Sequence, residues 1–579
     1  MTTTMAVAAG GDAAASLRAA WAPDLAGGAA LLVEHRGAAV AWATGNRWVE
    51  ASDDGDVVIV LDGRLHDDAP VGSQADALRH RYRRSGTRLA EGLAGDFVVV
   101  VLDRRTGTLL VARDPVGVRP WYLAERAGRA AGASEVATLL ALGWVDTAVD
   151  EQVAVEYLAA RTASRGGTFH RGIRTLAAGA TWHRTDTARR TLPHHRWDVR
   201  AESGVSWDDA IERCRAELDG AVRRRLAVGG RPTSEISGGL DSSAVVGTVA
   251  GLGHPDDLLV ARLVFEGPAA DERTWSDAVV RHWRVPMISV EPWRPTVPEA
   301  EGLTERLGRP LPDPHFVMFA SLRRALGERG RHDVLTGLGG DDAFVGVGTG
   351  AVVVSAAQLH QWPVLGRIAR ASVVRPGAAW RSLWRPALHH LAPWKGARPP
   401  RWLSTEAVAG AGLDRAGRDR PPATKGAAAV DERMANLTAG YDAAVLEEQA
   451  IVSDLVGVRA THPFLDPRFI AATYGLDPTW PTRGGHTRAL EVAAYGDRVP
   501  SVIADRRTKG EFSEVFWPQV LDRRTVLGVR TGPLAERGWL DIAGFDGLVG
   551  DAQRGMANAA IPLSRCVSLS RWLSPSSRR

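Results

Sequence analysis

Residues 234–243 read SEISGGLDSS, and this stretch limits the fold more than any other in the chain. Two adjacent glycines, Gly238 and Gly239, lie between a short strand candidate and the apolar helical run AVVGTVAGL at 244–252. Glycine lets a backbone take conformations closed to other residues and approach a ligand closely. A helix beginning at such a turn points its first N–H groups at an anion. The pattern then alternates: DLLVARLVFEG, a helix over about 271–284, PMISVEP, a helix over about 315–328, and DVLTGLGGDD. Alternating strands and helices predict a parallel sheet covered on both faces, with ligands beyond the carboxyl ends of its strands. Both glycine-rich turns fall there.

The turn's chemistry is specific. Ser237, Ser242 and Ser243 supply hydroxyls, and Leu240 is apolar. Asp241 would repel a phosphate unless a divalent cation lay between them, and Mg²⁺ accepts both carboxylate and phosphate oxygens. The stretch has no lysine, so it is not the loop that grips the γ end of ATP. Lysine is scarce everywhere: only Lys395, Lys425 and Lys509 occur in 579 residues. A lysine kept against so strong an arginine bias suggests a role that needs a compact point charge; Lys395 and Lys425 read as ordinary surface residues.

The first 200 residues are rich in strand signals. GDVVIVLDG (55–63), GDFVVVVLD (95–103) and TLLVARDP (108–115) are nearly continuous apolar runs, as in strands buried on both faces. QADALRHRYRRSG (74–86) is helical and lies between two of them. Residues 186–206 are polar, lack periodicity and read as a boundary, giving domains at 1–200 and 205–579. Ser206 caps a helix whose apolar face holds Ile211, Cys214, Leu218, Val222 and Leu226. Cys214 and Cys566, the only cysteines, both sit in helical patterns, so neither a disulfide nor a cysteine metal site is expected. Residues 350–579 read as mainly helical, with 392–428 a long mobile connection. A net charge of +4 gives no nucleic-acid footprint. No membrane span or secretion signal is evident, and a cytoplasmic location is expected.

SGGLDSS resembles the pyrophosphate loop of ATP pyrophosphatases, which split ATP between its α and β phosphates. Three further segments, in order, resemble the asparagine synthetase family: TGLGGDDAF (336–344), THPFLDPRF (461–469) and RRTKGEFSE (506–514). The resemblance implies an adenine nucleotide α-hydrolase-like parallel-sheet domain with helical additions, using ATP and Mg²⁺. It assigns pyrophosphate to Ser237, Gly238, Gly239, Leu240, Asp241, Ser242 and Ser243, and the metal to Asp241 and Asp341. Adenosine falls to the backbone near Val264, Thr336 and Gly337, and charge stabilisation during adenylation to Lys509.

The N-terminal segment GDFVVVVLDRRTGTLLVARDPVGVRPWYL (95–123) resembles the glutamine-hydrolysing half of the same family. That implies an N-terminal-nucleophile-type (class II glutamine amidotransferase-like) α/β/β/α sandwich. The family's exposed cysteine is missing: Thr2 follows Met1, and no cysteine precedes Cys214. The family's Asn-Gly is replaced by Asp62-Gly63, whose charge would repel an oxyanion. The amine is therefore expected from elsewhere, including from the molecule whose carboxylate is activated, where bound geometry raises the effective concentration. Three relatives lack a working glutaminase: lasso peptide macrolactam synthetases, β-lactam synthetases and ammonia-dependent asparagine synthetases. Leu338 stands where the latter two carry Tyr and Glu, and leucine cannot move a proton. The chain most resembles a lasso cyclase, which implies a precursor peptide, a leader-peptide-binding protein and a leader peptidase as partners. His462 is a candidate proton acceptor or a structural histidine. Trp362, Trp380, Trp384, Trp394 and Trp402, interleaved with arginines, read as a docking surface for a peptide or partner protein, as buried helix faces, or as a peripheral membrane contact. A degenerate homologue that only binds peptide or nucleotide is the non-enzymatic alternative.

Overall fold

Three sheets organise the chain. The computed structural model describes residues 4–574 apart from 67–72, 162, 164–165, 186, 203, 268–269, 312, 314–316, 345–348, 375–386, 388–398, 414–426, 481–482, 484–487, 507–509, 511–514 and 516. The first sheet is antiparallel and contains β1 (Met5–Ala9), β2 (Ala30–His35), β3 (Ala38–Ala43), β8 (Tyr122–Arg126), β9 (Arg129–Ala133) and β10 (Ile173–Thr175), in the order β10-β8-β9-β1-β3-β2. The second contains β4 (Val49–Asp53), β5 (Val57–Leu65), β6 (Gly95–Asp103), β7 (Thr108–Arg113), β11 (Ala180–Arg184) and β12 (Arg189–Pro193), in the order β12-β11-β7-β6-β5-β4. Val58, Val60, Val98 and Val100 meet Val7, Val40 and Trp121 between the sheets. Ile59, Leu61, Val99 and Val101 point the other way, onto Leu78 and Tyr82 of helix Gln74–Ser85. Helix Ala13–Ala20 covers the outer face of the first sheet through Ala13 and Leu17. This is the α/β/β/α sandwich, and it explains the unbroken apolar runs: both faces of β5 and β6 are covered although the sheets are antiparallel.

The apparent boundary at 186–206 contains β12, whose five residues are all exposed. An edge strand with neither face buried has no alternation for a sequence to display. After it, Ser206 accepts a hydrogen bond from the Asp209 N–H and caps helix Trp207–Val228. Cys214 is fully buried in that helix, and burial pushes its thiol up to about 12. Both cysteines are free and buried.

The third sheet is parallel: β13 (Thr233–Glu235), β14 (Leu259–Leu263), β15 (Met287–Val290), β16 (Asp333–Leu335) and β17 (Arg459–Thr461), in the order β15-β14-β13-β16-β17. The chain winds outward from β13 through β14 to β15, then returns to the other side of β13 for β16 and β17. The order reverses between β13 and β16, and a crevice opens at such a reversal. Val260 and Leu335 face a core with Val245, Val249, Cys214 and Phe464, while Ala261 and Val334 face Leu322 and Leu326 of helix Phe319–Gly327.

The C-terminal part is helical, with two departures from the sequence reading. THPFLDPRF begins in β17, so the fifth strand comes from the region read as helical. Within 392–428, residues 399–413 are folded: helix Thr405–Gly410 buries Ala407 and Val408, and Leu403 pairs with Leu540. Residues 392–398 and 414–426 of that segment, with Trp394, Lys395 and Lys425, lie outside the described residues, as do Trp380 and Trp384 before it. Trp402 packs in the C-terminal core and donates to the Leu158 carbonyl at 3.1 Å, so it is no docking residue; Trp362 is 67% exposed. Among the described residues no helix is long and apolar enough to cross a membrane.

Buried charges join the sandwich to the parallel-sheet half. Asp62 is inaccessible and accepts from Arg119 at 3.1 Å, Arg459 at 2.5 Å and the Thr4 hydroxyl at 2.5 Å. Asp454 takes the other side of Arg119 at 3.0 Å. Burial alone would raise the Asp62 carboxyl, but the two guanidiniums and the hydroxyl outweigh it and hold it down at about 2. Asp62 is thus ionised but paired, in place of the bare negative charge that the sequence suggested. Buried ions cost several kcal/mol each in desolvation unless fully paired. Asp62→Ala is expected to destabilise the fold by about 3 kcal/mol, near the lower end for a broken buried pair because Asp454 still faces both arginines. The stabilisation from the depressed carboxyl should be present above about pH 4 and lost as pH falls towards about 2. Urea titrations at several pH values check both, and a variant with the wild-type midpoint would count against the network.

Candidate functional site

The two glycine turns leave β13 and β16 on either side of the crevice. Gly238 has φ +80°, in the left-handed region. A Cβ there would lie 2.6 Å from Trp275 Cβ and 2.8 Å from the Ser276 nitrogen, so close packing as well as conformation requires glycine. Gly239 precedes helix Leu240–Gly251, and its carbonyl accepts from the Ser242 hydroxyl at 3.3 Å and the Ser243 hydroxyl at 2.7 Å. Ser237 accepts from the Gly239 N–H at 3.2 Å and meets the Ser242 hydroxyl at 3.2 Å. Ser243 is fully buried and supports the turn from behind; the Leu240 side chain belongs to the core, leaving its backbone to the loop.

The second turn fits against the first with no space to spare. A Cβ on Gly337 would lie 2.5 Å from the Ser242 nitrogen, and one on Gly340 would lie 2.2 Å from Asp241 Oδ1. Gly339, at φ +94°, leaves no more room against Leu465. Bare backbone at 337 and 340 is what lets the helix Gly340–Phe344 start beside Asp241.

Asp241 and Asp341 converge on one cation. Arg488 donates from one Nη to both Asp241 oxygens at 2.9 Å and pairs through the other Nη with Asp341. Glu491, one helical turn on, accepts from Arg488 at 3.1 Å and is fully buried. Burial, followed by the Asp241 charge, raises the Glu491 carboxyl well above the usual range. Asp342 points elsewhere, as the residue after Asp341 on a helix must. It meets Asp442, and burial with the neighbouring carboxylate pushes Asp442 up to about 8, so this pair holds a proton.

The carboxylates that close on a guanidinium are hard oxygen donors suited to a divalent cation. Among the described residues no three His, Cys, Asp or Glu side chains form a metal cage by themselves. Asp241 and Asp341 fit Mg²⁺ as two ligands of an ion completed by phosphate and water, once Arg488 gives way.

Val264 and Thr336 follow parallel strands of the same sheet at their carboxyl ends. Val264 follows β14, its N–H bonded to the Val290 carbonyl at 2.8 Å. Thr336 follows β16, bonded through its N–H to the Thr461 carbonyl at 3.1 Å. The Thr336 hydroxyl accepts from the Leu338 N–H at 3.2 Å and meets His462 Nδ1 at 2.7 Å. Burial lowers the His462 imidazole to about 3, so it is neutral, and its contact with the Thr336 hydroxyl fixes the position of both side chains. Leu338 packs against the core. Lys509 lies outside the described residues. Arg506, three residues before it, donates to the Gly238 carbonyl at 2.9 Å. The sequence reading missed Arg488, Glu491 and Arg506; in an arginine-rich chain the one available signal was the three-residue spacing between Arg488, at the start of helix Ala489–Tyr495, and Glu491.

Gly340→Ala tests the fit of the turns. The helix itself tolerates alanine, so the unfolding midpoint should stay near wild type while the new methyl displaces the Asp241 carboxylate. The Mg²⁺ concentration for half-maximal activity is expected to rise about tenfold or more, as when the support of a metal ligand is disturbed. A folded variant with an unchanged Mg²⁺ requirement would uncouple Gly340 from the site.

Comparison with known proteins gives the lineage. A glutamine amidotransferase domain model matches residues 61–197, and an asparagine synthase model matches residues 213–574. The chain is 28% identical over 182 residues to asparagine synthetase (glutamine-hydrolyzing) 3 of Bacillus subtilis, covering 31% of this chain and 29% of that protein. It is 26% identical over 310 residues to amidase chyE of Penicillium rubens, covering 49% and 44%. The chain spans less than half the length of the curated relatives it matches. A solved glutamine phosphoribosylpyrophosphate amidotransferase from B. subtilis overlays 58% of this chain and 81% of its own at 11% identity, but with a TM-score of 0.24 the overlay carries no argument. The asparagine synthase match covers more than half of the sequence, from the helix before the first glycine turn to the C-terminal helix, and the chain belongs to the asparagine synthase family.

Proposed function

We propose that this chain is an ATP-dependent amide synthetase whose carboxylate and amine belong to one peptide, closing a macrolactam. The observation that carries the reading is the convergence of Asp241 and Asp341 on one cation between two close-packed glycine turns at the sheet's reversal point. A side-chain carboxylate oxygen of the peptide attacks the α phosphorus of ATP, and the bond to the bridging oxygen breaks to release pyrophosphate. The peptide's N-terminal amine then attacks the acyl carbon, AMP departs, and the ammonium proton is lost. Gly239 and the start of helix Leu240–Gly251 direct N–H groups at the departing pyrophosphate. Asp241 and Asp341 would hold Mg²⁺, which supplies charge neutralisation there. Thr336, fixed by His462, shapes the nucleotide side of the crevice. Lys509 would stabilise the negative charge that develops during acyl transfer.

The choice of a peptide rests on two features. Leu338 offers no group to move a proton, and an α-amine with a pKa near 8 needs little help. The sandwich carries Asp62, ionised between arginines, where a glutaminase needs a neutral donor. A leader-peptide-binding protein and a leader peptidase would serve such an enzyme. The second reading is ammonia-dependent amidation of a small amino acid, favoured by relatives named asparagine synthetases.

Incubation with ATP, Mg²⁺ and a candidate precursor peptide tests the proposal. The expected outcome is equimolar AMP and pyrophosphate with a peptide product lighter by one water. Formation of ADP would overturn the adenylation step, and amide formation only from aspartate and ammonia would move the chain to the second reading. Asp341→Asn is expected to lower kcat/KM by about 100-fold or more, the several kcal/mol that a metal contributes to charge stabilisation. Wild-type rates in that variant would remove Asp341 from the metal.

A further inference from the structure

Beside the first glycine turn, four groups form a clamp. Arg506 lies flat over the Trp275 ring, its Cζ 3.9 Å from the ring centroid. One Nη donates to the Gly238 carbonyl at 2.9 Å, and the other donates to Glu272 at 2.7 Å. The Arg506 side chain is 7% exposed and that of Glu272 is 11% exposed, so the pair is largely shielded from water. Glu272 also accepts from the Gly510 N–H at 3.3 Å. A Cβ on Gly510 would lie 2.9 Å from Glu272 Cδ, so the chain presses directly on the carboxylate. Trp275 in turn fills the space where a Gly238 side chain would be. Stacking, a salt bridge and a charge-assisted hydrogen bond together fix one carbonyl oxygen.

That carbonyl belongs to the peptide unit shared by Gly238 and Gly239. The unit is planar and trans, so its C=O and N–H point in opposite directions. Holding the oxygen on Arg506 aims the Gly239 N–H to the other side, where it lies 3.2 Å from Ser237 Oγ. A peptide between two glycines is the one a chain reverses most easily, because neither residue has a Cβ to oppose the change. Reversal would carry Gly239 from φ −77° to the positive side and present a carbonyl oxygen where an N–H had been. An anion would then face a partial negative charge.

We propose that Arg506, set by Glu272 and Trp275, is a positioning residue that locks the Gly238–Gly239 peptide with its N–H towards the pyrophosphate side of the loop. The inference rests on the reading of this turn as a pyrophosphate loop. It explains why a buried arginine is directed at a main-chain oxygen and not at a second carboxylate.

The probe is inorganic pyrophosphate with Mg²⁺, titrated calorimetrically into the full-length chain. Wild-type protein should bind it, and failure to bind would overturn the pyrophosphate-loop reading and the lock together. Arg506→Ala should weaken binding by about tenfold to hundredfold, as expected for one charge-assisted hydrogen bond. Arg506→Lys, which keeps a charge but neither the fork nor the stack, should fall between and protects the test against an unfolded alanine variant. Gly239→Ala supplies the readout that a merely structural role would not move. Alanine resists the positive φ that reversal requires, and among the described residues its Cβ would meet only Ser237 Oγ, at 3.3 Å. Measured in the Gly239→Ala background, Arg506→Ala should cost less than about threefold, a coupling that a double-mutant cycle isolates. Equal pyrophosphate affinity in wild type and Arg506→Ala, or a full loss on adding Arg506→Ala to Gly239→Ala, would overturn the lock.

Discussion

The contact on which the site depends is made by bare glycine backbone: Gly337 pressed on the main chain of Asp241 and Ser242, and Gly340 on the Asp241 carboxylate. Two loops from neighbouring strands can share one ion only if their carboxylates come within a few ångströms. Parallel strands about 5 Å apart leave no room for side chains between the loops. The glycines remove those side chains, and the order reversal between β13 and β16 sends the connecting helices apart and keeps the mouth open. Everything else in the crevice is arranged around that approach. Arg488 brings a positive charge to the converging aspartates, and the buried Glu491 holds its guanidinium from the other side.

A second pattern runs through the molecule: arginines are buried to fix positions. Arg119 and Arg459 share Asp62 and Asp454, Arg225 reaches Asp466 at 2.8 Å, and Arg323 reaches Glu235 at 2.9 Å just below the first glycine turn. Each guanidinium has several donors in a rigid plane and so sets the geometry of two or three acceptors at once. The desolvation cost is high, and such pairs add less to stability than to uniqueness of geometry. In a chain so poor in lysine, the forked cation serves as the general positioning tool.

The sequence revealed the fold where period and punctuation agreed. The strands β5, β6 and β7, the capped helix Trp207–Val228 and the alternation from β13 to β16 were all legible, because apolar runs, glycines and an N-cap serine marked their ends. β12 was illegible because an exposed edge strand carries no alternation, and β17 because three residues are too few to set a period. Asp241 and Asp341 could be named from motif chemistry, but the cation between them could not. Arg488, which precedes helix Ala489–Tyr495, lies 247 residues after Asp241 and 147 after Asp341, and only the fold brings it there. The same holds for Glu272 and Arg506. Ser243 was read as a hydroxyl donor for a ligand, yet it lies fully buried with its hydroxyl spent on the Gly239 carbonyl at 2.7 Å.

Helix Glu151–Leu158 has a consequence for how the halves can change. It is encoded among the strands of the sandwich, but Val153, Val155 and Leu158 pack with Phe545, Leu563, Leu569 and Trp572 of the C-terminal helices. Phe169 completes the contact, its ring 5.5 Å from that of Trp572. The leading half is therefore a wall of the trailing half's core. A lineage could abandon whatever reaction the leading half once hosted and still be unable to delete it, since excision would strip oil-like surface bare in the part that remains. Architecture of this kind makes the leading half scaffolding for the trailing one, whatever chemistry either performs.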